Sequence, residues 1–318
     1  MVKSMVLITG GFGYLGGRIA EYLWKSGYSV RIGTRKSESE FNEAHPHYDV
    51  VQLNLFNKKS LEAACKNVTI IIHLAAMNAQ ESAQDPEKAF RINVDGTSKL
   101  INVAINENVE KFIYFSTAHI YGAPLKGDLT ENISPSPQHP YALTHYLAEE
   151  IIIKASKNQS INGIVLRLSN AIGTPSNQNA NCWMLVANDL CKQVITNKIM
   201  TIKSNYFVER DFISISEVCK VVENIITSLN LKEGVFNLTS GTSLTLMELA
   251  NLISKRSSSM LQYTPQIEYV TKKDSLSIHT KNLYISNNKL KKYGVKINKD
   301  ISFEIDDLLV NCNKWFSK

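Results

Sequence analysis

The sequence is short of the features that settle a protein's class at a glance. Its five cysteines, Cys65, Cys182, Cys191, Cys219 and Cys312, are odd in number, widely spaced and free of any C-x-x-C pair. That argues against a disulfide framework and a cysteine zinc site, and it fits reduced thiols in a cytoplasmic protein. No apolar run approaches the roughly 18 residues that span a bilayer. The N-terminus feeds a strand into a glycine turn and does not read as a signal peptide. Positive charge forms no stripe: a formal +6 is spread over 318 residues, which speaks against nucleic acid and for a mild preference for anionic substrates. His45, His47, His73, His139 and His279 lack metal-ligand spacing and read as ordinary loop or strand residues, so no metal is expected. There is no internal repeat and no low-complexity tract. What remains is an ordinary soluble globular composition, 44% hydrophobic and 20% charged, sized for one large domain or two unequal ones.

What the chain does have begins at Thr9. The apolar run Met5-Val6-Leu7-Ile8 leads into T-G-G-F-G-Y-L-G at 9–16, a strand, a glycine turn and the start of a helix. Gly10 permits the tight turn, Gly13 the approach of backbone to a phosphate, and Gly16 close packing of helix on strand. The free N–H groups at the start of that helix face an anion. Residues Gly10, Phe12, Gly13, Tyr14, Leu15 and Gly16 are therefore candidate contacts for a dinucleotide pyrophosphate.

Short apolar strands then alternate with longer helical patterns, the signature of βαβ units and a parallel sheet. Strands are expected near 5–9, 30–33, 50–53, 70–74, 112–116 and 163–168. Helices are expected over 14–26, from Pro86 towards 108, and over 141–156. Beyond Asn170 the alternation fades into a smaller mixed region. The expected fold is α/β, a Rossmann-type doubly wound parallel sheet over 1–170, with 171–318 mostly a substrate-binding region from which segments around 212–240 return to the sheet. A ligand crevice is expected at the carboxyl ends of the strands.

Three groups fall at those strand ends. Leu74, Ala75 and Ala76 are small residues against which a ribose and nicotinamide can lie. Thr117 follows the fifth strand, with His119 two positions on. Tyr141 opens the next helix, with His145 four residues later on the same face. A hydroxyl, a phenol and a cationic partner beside a nicotinamide can move a hydride and a proton to or from a carbon bearing oxygen.

At this point the chain resembles the extended short-chain dehydrogenase/reductase family, in its NAD(P)-dependent nucleotide-sugar epimerase, dehydratase and reductase branch. The likeness rests on 9–16 together with H-L-A-A at 73–76, N-V-D-G-T at 93–97, S-T-A-H-I-Y-G at 116–122, Y-A-L-T-H at 141–145, R-L-S-N-A-I-G-T-P at 167–175, R-D-F-I at 210–213 and F-N-L-T-S-G at 236–241. The resemblance implies Thr117 and Tyr141 as catalytic hydroxyl and phenol. It also implies Asn170 and Arg210 as sugar-nucleotide contacts, Arg210 towards the diphosphate, His119 facing the sugar, and a homodimer through the helices near 87–107 and 141–156.

Two departures from the family pattern shape the functional expectation. The family's Y-x-x-x-K lysine is His145 here; an imidazole is mostly neutral at pH 7 and lowers the tyrosine pKa less than a lysine would. That suits donation of a proton to an alkoxide better than removal of one from an alcohol. After the second strand, where NAD-preferring members carry an acid, stand Gly33-Thr34-Arg35-Lys36; Arg35 can hold a 2′-phosphate, so NADP(H) is expected over NAD(H). Asn54 and Leu55 are expected to border the adenine. Ala118-His119 replaces the Asp-Glu pair of the 4,6-dehydratases, which argues against dehydration. The expectation is NADP(H)-dependent reduction of a keto group, at C4, on a nucleotide-activated deoxysugar. The alternatives are a C4 epimerase with tightly held NAD and, in another class, a catalytically silent NADP(H)-binding sensor.

Overall fold

The computed structural model describes residues 4–35, 47–228, 231, 234–270 and 282–317; Lys36, His45 and His279 lie outside them. The first half runs β1 (Met5–Thr9), α1 (Tyr14–Lys25), β2 (Ser29–Thr34), β3 (Asp49–Gln52), α2 (Lys58–Cys65), β4 (Ile70–His73), α3 (Ala79–Gln84), α4 (Pro86–Phe90), α5 (Gly96–Asn106), β5 (Lys111–Thr117), β6 (Gly127–Leu129), α6 (Pro140–Lys157) and β7 (Asn162–Leu168). The second half runs β8 (Asn170–Ile172), α7 (Val186–Asn197), β9 (Ile199–Ile202), β10 (Glu209–Ser214), α8 (Ile215–Thr227), β11 (Gly234–Leu238), β12 (Ser243–Thr245), α9 (Leu246–Leu261), β13 (Gln266–Tyr269), β14 (Leu283–Ile285), α10 (Asn288–Lys292) and α11 (Ser302–Phe316).

Seven strands form one sheet in the order β11-β7-β5-β4-β1-β2-β3, every pair parallel. Runs such as Val6-Leu7-Ile8 and Ile70-Ile71-Ile72 are apolar at consecutive positions because helices cover both faces. One face packs with α1 and α8 around Ile8, Ile19, Leu23, Ile72 and Val222. The other packs with α2, α5 and α6 around Leu7, Ile71, Leu100, Phe112 and Ile152. The order reverses at β1, which lies between β2 and β4, so a crevice opens at the carboxyl ends there.

The C-terminal half is interleaved with this sheet. β11 adds to it beside β7, α8 covers it, and β14 pairs with β6 near the end of the fifth strand. Leu290 and Val295 join the sheet's core, a second return, over 283–295, that the fading alternation of the sequence does not announce. The rest forms its own core from α7, α9, α11 and β9–β10, around Leu190, Val194, Leu249, Ile305 and Leu308.

The helical run from Pro86 differs from the single helix expected. It is α-helical to Phe90, opens into a π-turn over Arg91–Asp95, and resumes as α5. Such turns mark places where a helix departs from its ladder for a local purpose; here Asn93 is buried inside it. Pro140 and His139 start α6, the proline where its missing N–H costs nothing and His139 Nδ1 accepting from the Tyr141 amide at 3.1 Å.

Below the crevice a buried ion pair ties α6 to β7. Arg167 donates through Nη2 to Glu149 Oε2 at 2.7 Å and through Nη1 to the Tyr121 hydroxyl at 3.0 Å. That hydroxyl donates to Asn237 Oδ1 on β11 at 2.7 Å. Glu149 is wholly buried and Arg167 nearly so. Replacing one partner alone leaves a buried charge, so Glu149→Ala should destabilise the fold by about 3–5 kcal/mol, whereas the pair Glu149→Leu with Arg167→Met should recover much of it. Chemical denaturation of the three variants checks this, and equal losses in the single and double variants would contradict it.

Candidate active site

The glycine turn and the loop after β4 meet. Gly10 has φ +68°, and a Cβ there would lie 3.2 Å from the Ala75 amide nitrogen; a Cβ on Gly16 would run into the Gly10 carbonyl. The N-terminus of α1 has no side-chain cap and no acid in its first turn, so its N–H groups are offered to an anion. These features fit a dinucleotide pyrophosphate. Phe12 packs on the sheet's core.

A continuous set of hydrogen bonds fixes the loop. The Thr9 Oγ1 accepts from the amides of Leu74 and Ala75, both at 3.1 Å, and lies 2.7 Å from His73 Nδ1. His73 Nε2 lies 2.9 Å from Thr97 Oγ1, which donates to the Asn93 carbonyl at 2.7 Å. Because Thr97 spends its proton on a carbonyl, His73 donates through Nε2 and accepts from Thr9 through Nδ1. Asn93 Oδ1 accepts from the Met77 amide at 2.8 Å, and its Nδ2 donates to Thr144 Oγ1 at 3.0 Å. Thr144 donates to the Tyr141 carbonyl at 3.1 Å. His73, read from sequence as an ordinary strand residue, is thus wholly buried between two threonines.

On the other side of that set stand the reactive groups. The Thr117 hydroxyl stands beside the Tyr141 phenol and partly offsets the rise in phenol pKa that burial causes. His145 Nδ1 lies 2.9 Å from the Tyr141 carbonyl, and the two rings are 4.2 Å apart between centroids. Burial pushes the His145 imidazole down to about 4 and that of His73 down to about 3. Both are neutral at pH 7.

Thr117 and Tyr141 line a cavity of about 580 Å³. Tyr14, Leu15, His119, Asn170 and Arg210 line it too, and its far wall is apolar, with Met184, Leu185, Leu190, Ile202 and Phe212. Alternation along β10 explains Arg210: its neighbour Asp211 turns inward and accepts from Ser169 Oγ, Ser240 N and Thr242 N, which leaves Arg210 on the cavity side. Burial lowers the Arg210 pKa. Asn170, in the cavity wall, donates through Nδ2 to the Asp211 carbonyl at 2.9 Å. His119 is solvent-accessible across the cavity; enclosure and the Arg210 charge lower its pKa.

Several sequence candidates lie apart from this cavity. Arg35 is exposed just past β2. Asn54 is exposed and its Oδ1 accepts from the Phe56 amide, while the Leu55 side chain is buried in the core against Gly96. Tyr14, by contrast, lines the cavity and donates to the Gly173 carbonyl at 3.0 Å. Conversely, Asn78, Asp189, Lys203 and Ser204 line the cavity without having been singled out; Asn78, Lys203 and Ser204 sit in connecting turns and Asp189 in the first turn of α7. Among the described residues no group of His, Cys, Asp or Glu suits a metal ion, and no helix is long and apolar enough to cross a membrane.

A parallel sheet that reverses at β1, a glycine turn on an uncapped helix and a Thr–Tyr pair at the crevice define a dinucleotide-binding α/β protein of the short-chain dehydrogenase/reductase type. More particularly, residues 6–239 match the NAD dependent epimerase/dehydratase family, and the chain belongs to it. It is 29% identical over 286 residues to the UDP-glucose 4-epimerase uge1 of Schizosaccharomyces pombe, covering 80% of each chain. It is 26% identical over 289 residues to the UDP-glucose 4-epimerase of Dictyostelium discoideum, covering 82% of this chain and 84% of that one. Among solved structures, the UDP-N-acetylglucosamine 4-epimerase from Methanobrevibacter ruminantium, in complex with UDP-N-acetylmuramic acid, aligns with TM-score 0.80 over 99% of both chains at 24% identity; that likeness carries the fold.

The two neutral imidazoles give the fold a defined acid sensitivity. An unfolded imidazole titrates near about 6.5, so below that pH the unfolded chain binds protons that the folded chain cannot. Stability present above pH 6.5 should therefore fall between pH 6.5 and 5, by roughly 1.4 kcal/mol per pH unit for each histidine. Denaturation midpoints across this range should show a shallower slope for His73→Gln than for the parent; an unchanged slope would contradict a neutral buried His73.

Proposed function

We propose that the chain is a nucleotide-sugar 4-epimerase that uses a retained NAD and acts on UDP-hexoses. The observation that carries this reading is the Thr117–Tyr141 pair in the wall of a cavity that reaches Arg210, in a chain whose relatives over four fifths of their length are UDP-glucose 4-epimerases. The sequence alone leaned to NADP(H)-dependent ketoreduction, with epimerisation second. The relatives and the NAD dependent family description support the second reading.

The residues divide the work as follows. The turn at 10–16 and the N-terminus of α1 would hold the pyrophosphate, and Leu74–Ala76 the nicotinamide end. The nicotinamide, when bound, supplies a reversible hydride acceptor. Thr117 holds the sugar's C4 oxygen, and Tyr141 as phenolate takes the C4 hydroxyl proton while the C4–H bond gives up its electron pair as hydride. Inversion requires the hydride to return to the other face of the same carbon, so the 4-keto sugar must turn before Tyr141 gives the proton back. A roomy cavity with an apolar far wall permits that turn, while Arg210 anchors the diphosphate. Atoms and electrons balance without a net oxidant. Exposed Phe90 and Leu143 on the helices near 87–107 and 141–156 support a homodimer through that face.

Protein purified without added cofactor should contain NAD and interconvert UDP-glucose and UDP-galactose. Tyr141→Phe should keep the dinucleotide and lose about 10²–10⁴-fold in kcat. Stoichiometric oxidation of added NADPH by a 4-keto nucleotide sugar, with no interconversion, would replace this reading by ketoreduction.

A further inference from the structure

At the position where the family carries a lysine, the surroundings are built for an uncharged ring. His145 is 3% exposed, and its Nδ1 meets the Tyr141 carbonyl at 2.9 Å. A carbonyl only accepts, so Nδ1 carries the proton. A second proton, on Nε2, would need a counter-ion, and no titratable neighbour among the described residues supplies one. From β4, His73 is a neutral ring with its own proton fixed on Thr97. From β5, Tyr114 brings a phenol 6.0 Å away between centroids, its pKa raised well above normal by burial, and Thr117 turns to the Tyr141 phenol. On the same helix, Glu149 is held by Arg167 at 2.7 Å. Burial of His145 acts in the same sense. The ring therefore presents a lone pair at Nε2.

We propose that His145 works as a neutral imidazole whose Nε2 accepts a hydrogen bond from a ribose hydroxyl of the bound dinucleotide, leaving Tyr141 with no resident cation beside it. The inference rests on the reading of Tyr141 as the proton-exchanging phenol of a dinucleotide enzyme. Among the described residues no lysine or arginine acts on the Tyr141 phenol; burial and Thr117 account for its shift. The positive charge that favours phenolate then arrives with the oxidised nicotinamide and leaves when it is reduced. A lysine at this position would supply that charge in both states. His145 is thereby a positioning group for the cofactor, and the phenolate population follows the cofactor's oxidation state.

Two measurements on the holoprotein test this. Nitrogen-15 NMR of its histidines, with the His145 signal assigned by its loss in His145→Gln, should show a neutral ring protonated on Nδ1 from pH 6 to 8; an imidazolium at pH 7 overturns the proposal. Ultraviolet difference titration against Tyr141→Phe reads the phenol directly. It should titrate lower in the oxidised than in the reduced holoprotein, and His145→Gln should leave it in place. His145→Lys should lower it by about one unit in both states, tenfold more phenolate at a given pH. A rise of about one unit in His145→Gln would mean that a charge had been removed, and an unmoved phenol in His145→Lys that the position does not act on Tyr141; either overturns it. If UDP-hexoses are not interconverted while the NMR and titrations come out as expected, the 4-epimerase reading fails and this one stands. An imidazolium in a fully active epimerase gives the converse.

Discussion

The reacting end of the molecule depends on one chain of hydrogen bonds whose proton order is forced from both ends. Two backbone N–H groups feed Thr9, two backbone carbonyls terminate Thr97 and Thr144, and the residues between them have one consistent assignment of donors. Its central links, through His73, Thr97 and Asn93, are buried, so a missing partner there would cost roughly 1–3 kcal/mol rather than the small net value of an exposed bond. The consequence is geometric. The end of β1, the loop after β4, the π-turn and the first turn of α6 share one frame, and Tyr141 cannot move relative to the glycine turn without breaking it.

The substrate side is tied to the same frame through α1. Tyr14 and Arg18 leave its first turns to bond the Gly173 and Thr174 carbonyls, at 3.0 and 2.7 Å, and Arg18 approaches the buried Glu304 of α11 at 3.9 Å. The helix whose N-terminus is free for an anion thus also holds the strand end that carries Asn170. Asp211 repeats the logic on β10: one buried carboxylate satisfied by backbone and hydroxyl donors fixes the strand, and period-two alternation then aims Arg210 into the cavity.

Much of this was legible in the sequence, for identifiable reasons. Parallel strands buried on both faces read as apolar runs, and glycine turns and Pro-started helices announce their ends, so the Rossmann-type sheet and the placing of Thr117 and Tyr141 at a strand end and a helix start follow from local pattern, whereas Arg210 was pointed to by the family resemblance. The π-turn was hidden because its cause, the inward Asn93, bonds to Met77 and Thr144, far off in sequence. The burial of the Leu55 side chain against Gly96 was not legible because a residue at a strand's carboxyl end can face either the crevice or the core. His73 looked unremarkable because a histidine's neutrality depends on Thr9 and Thr97, which only the fold brings to it. The return of 283–295 rests on a three-residue strand and a five-residue helix, too short to carry periodicity.

The distribution of charge across the site follows from the same burial. Arg210 and Lys203 stand at the cavity, where a diphosphate can neutralise them, and where solvent reaches in before it arrives. At residue 145 neither compensation exists: the ring is buried, its neighbour His73 is neutral, and the one buried carboxylate on that helix already holds Arg167. A fixed cation there would need a partner that the packing has already assigned elsewhere. A neutral imidazole meets the same need for a hydrogen bond without that demand. The substitution at the family's lysine position is therefore consistent with the core beneath it, and the Glu149–Arg167 pair and His145 belong to one electrostatic arrangement.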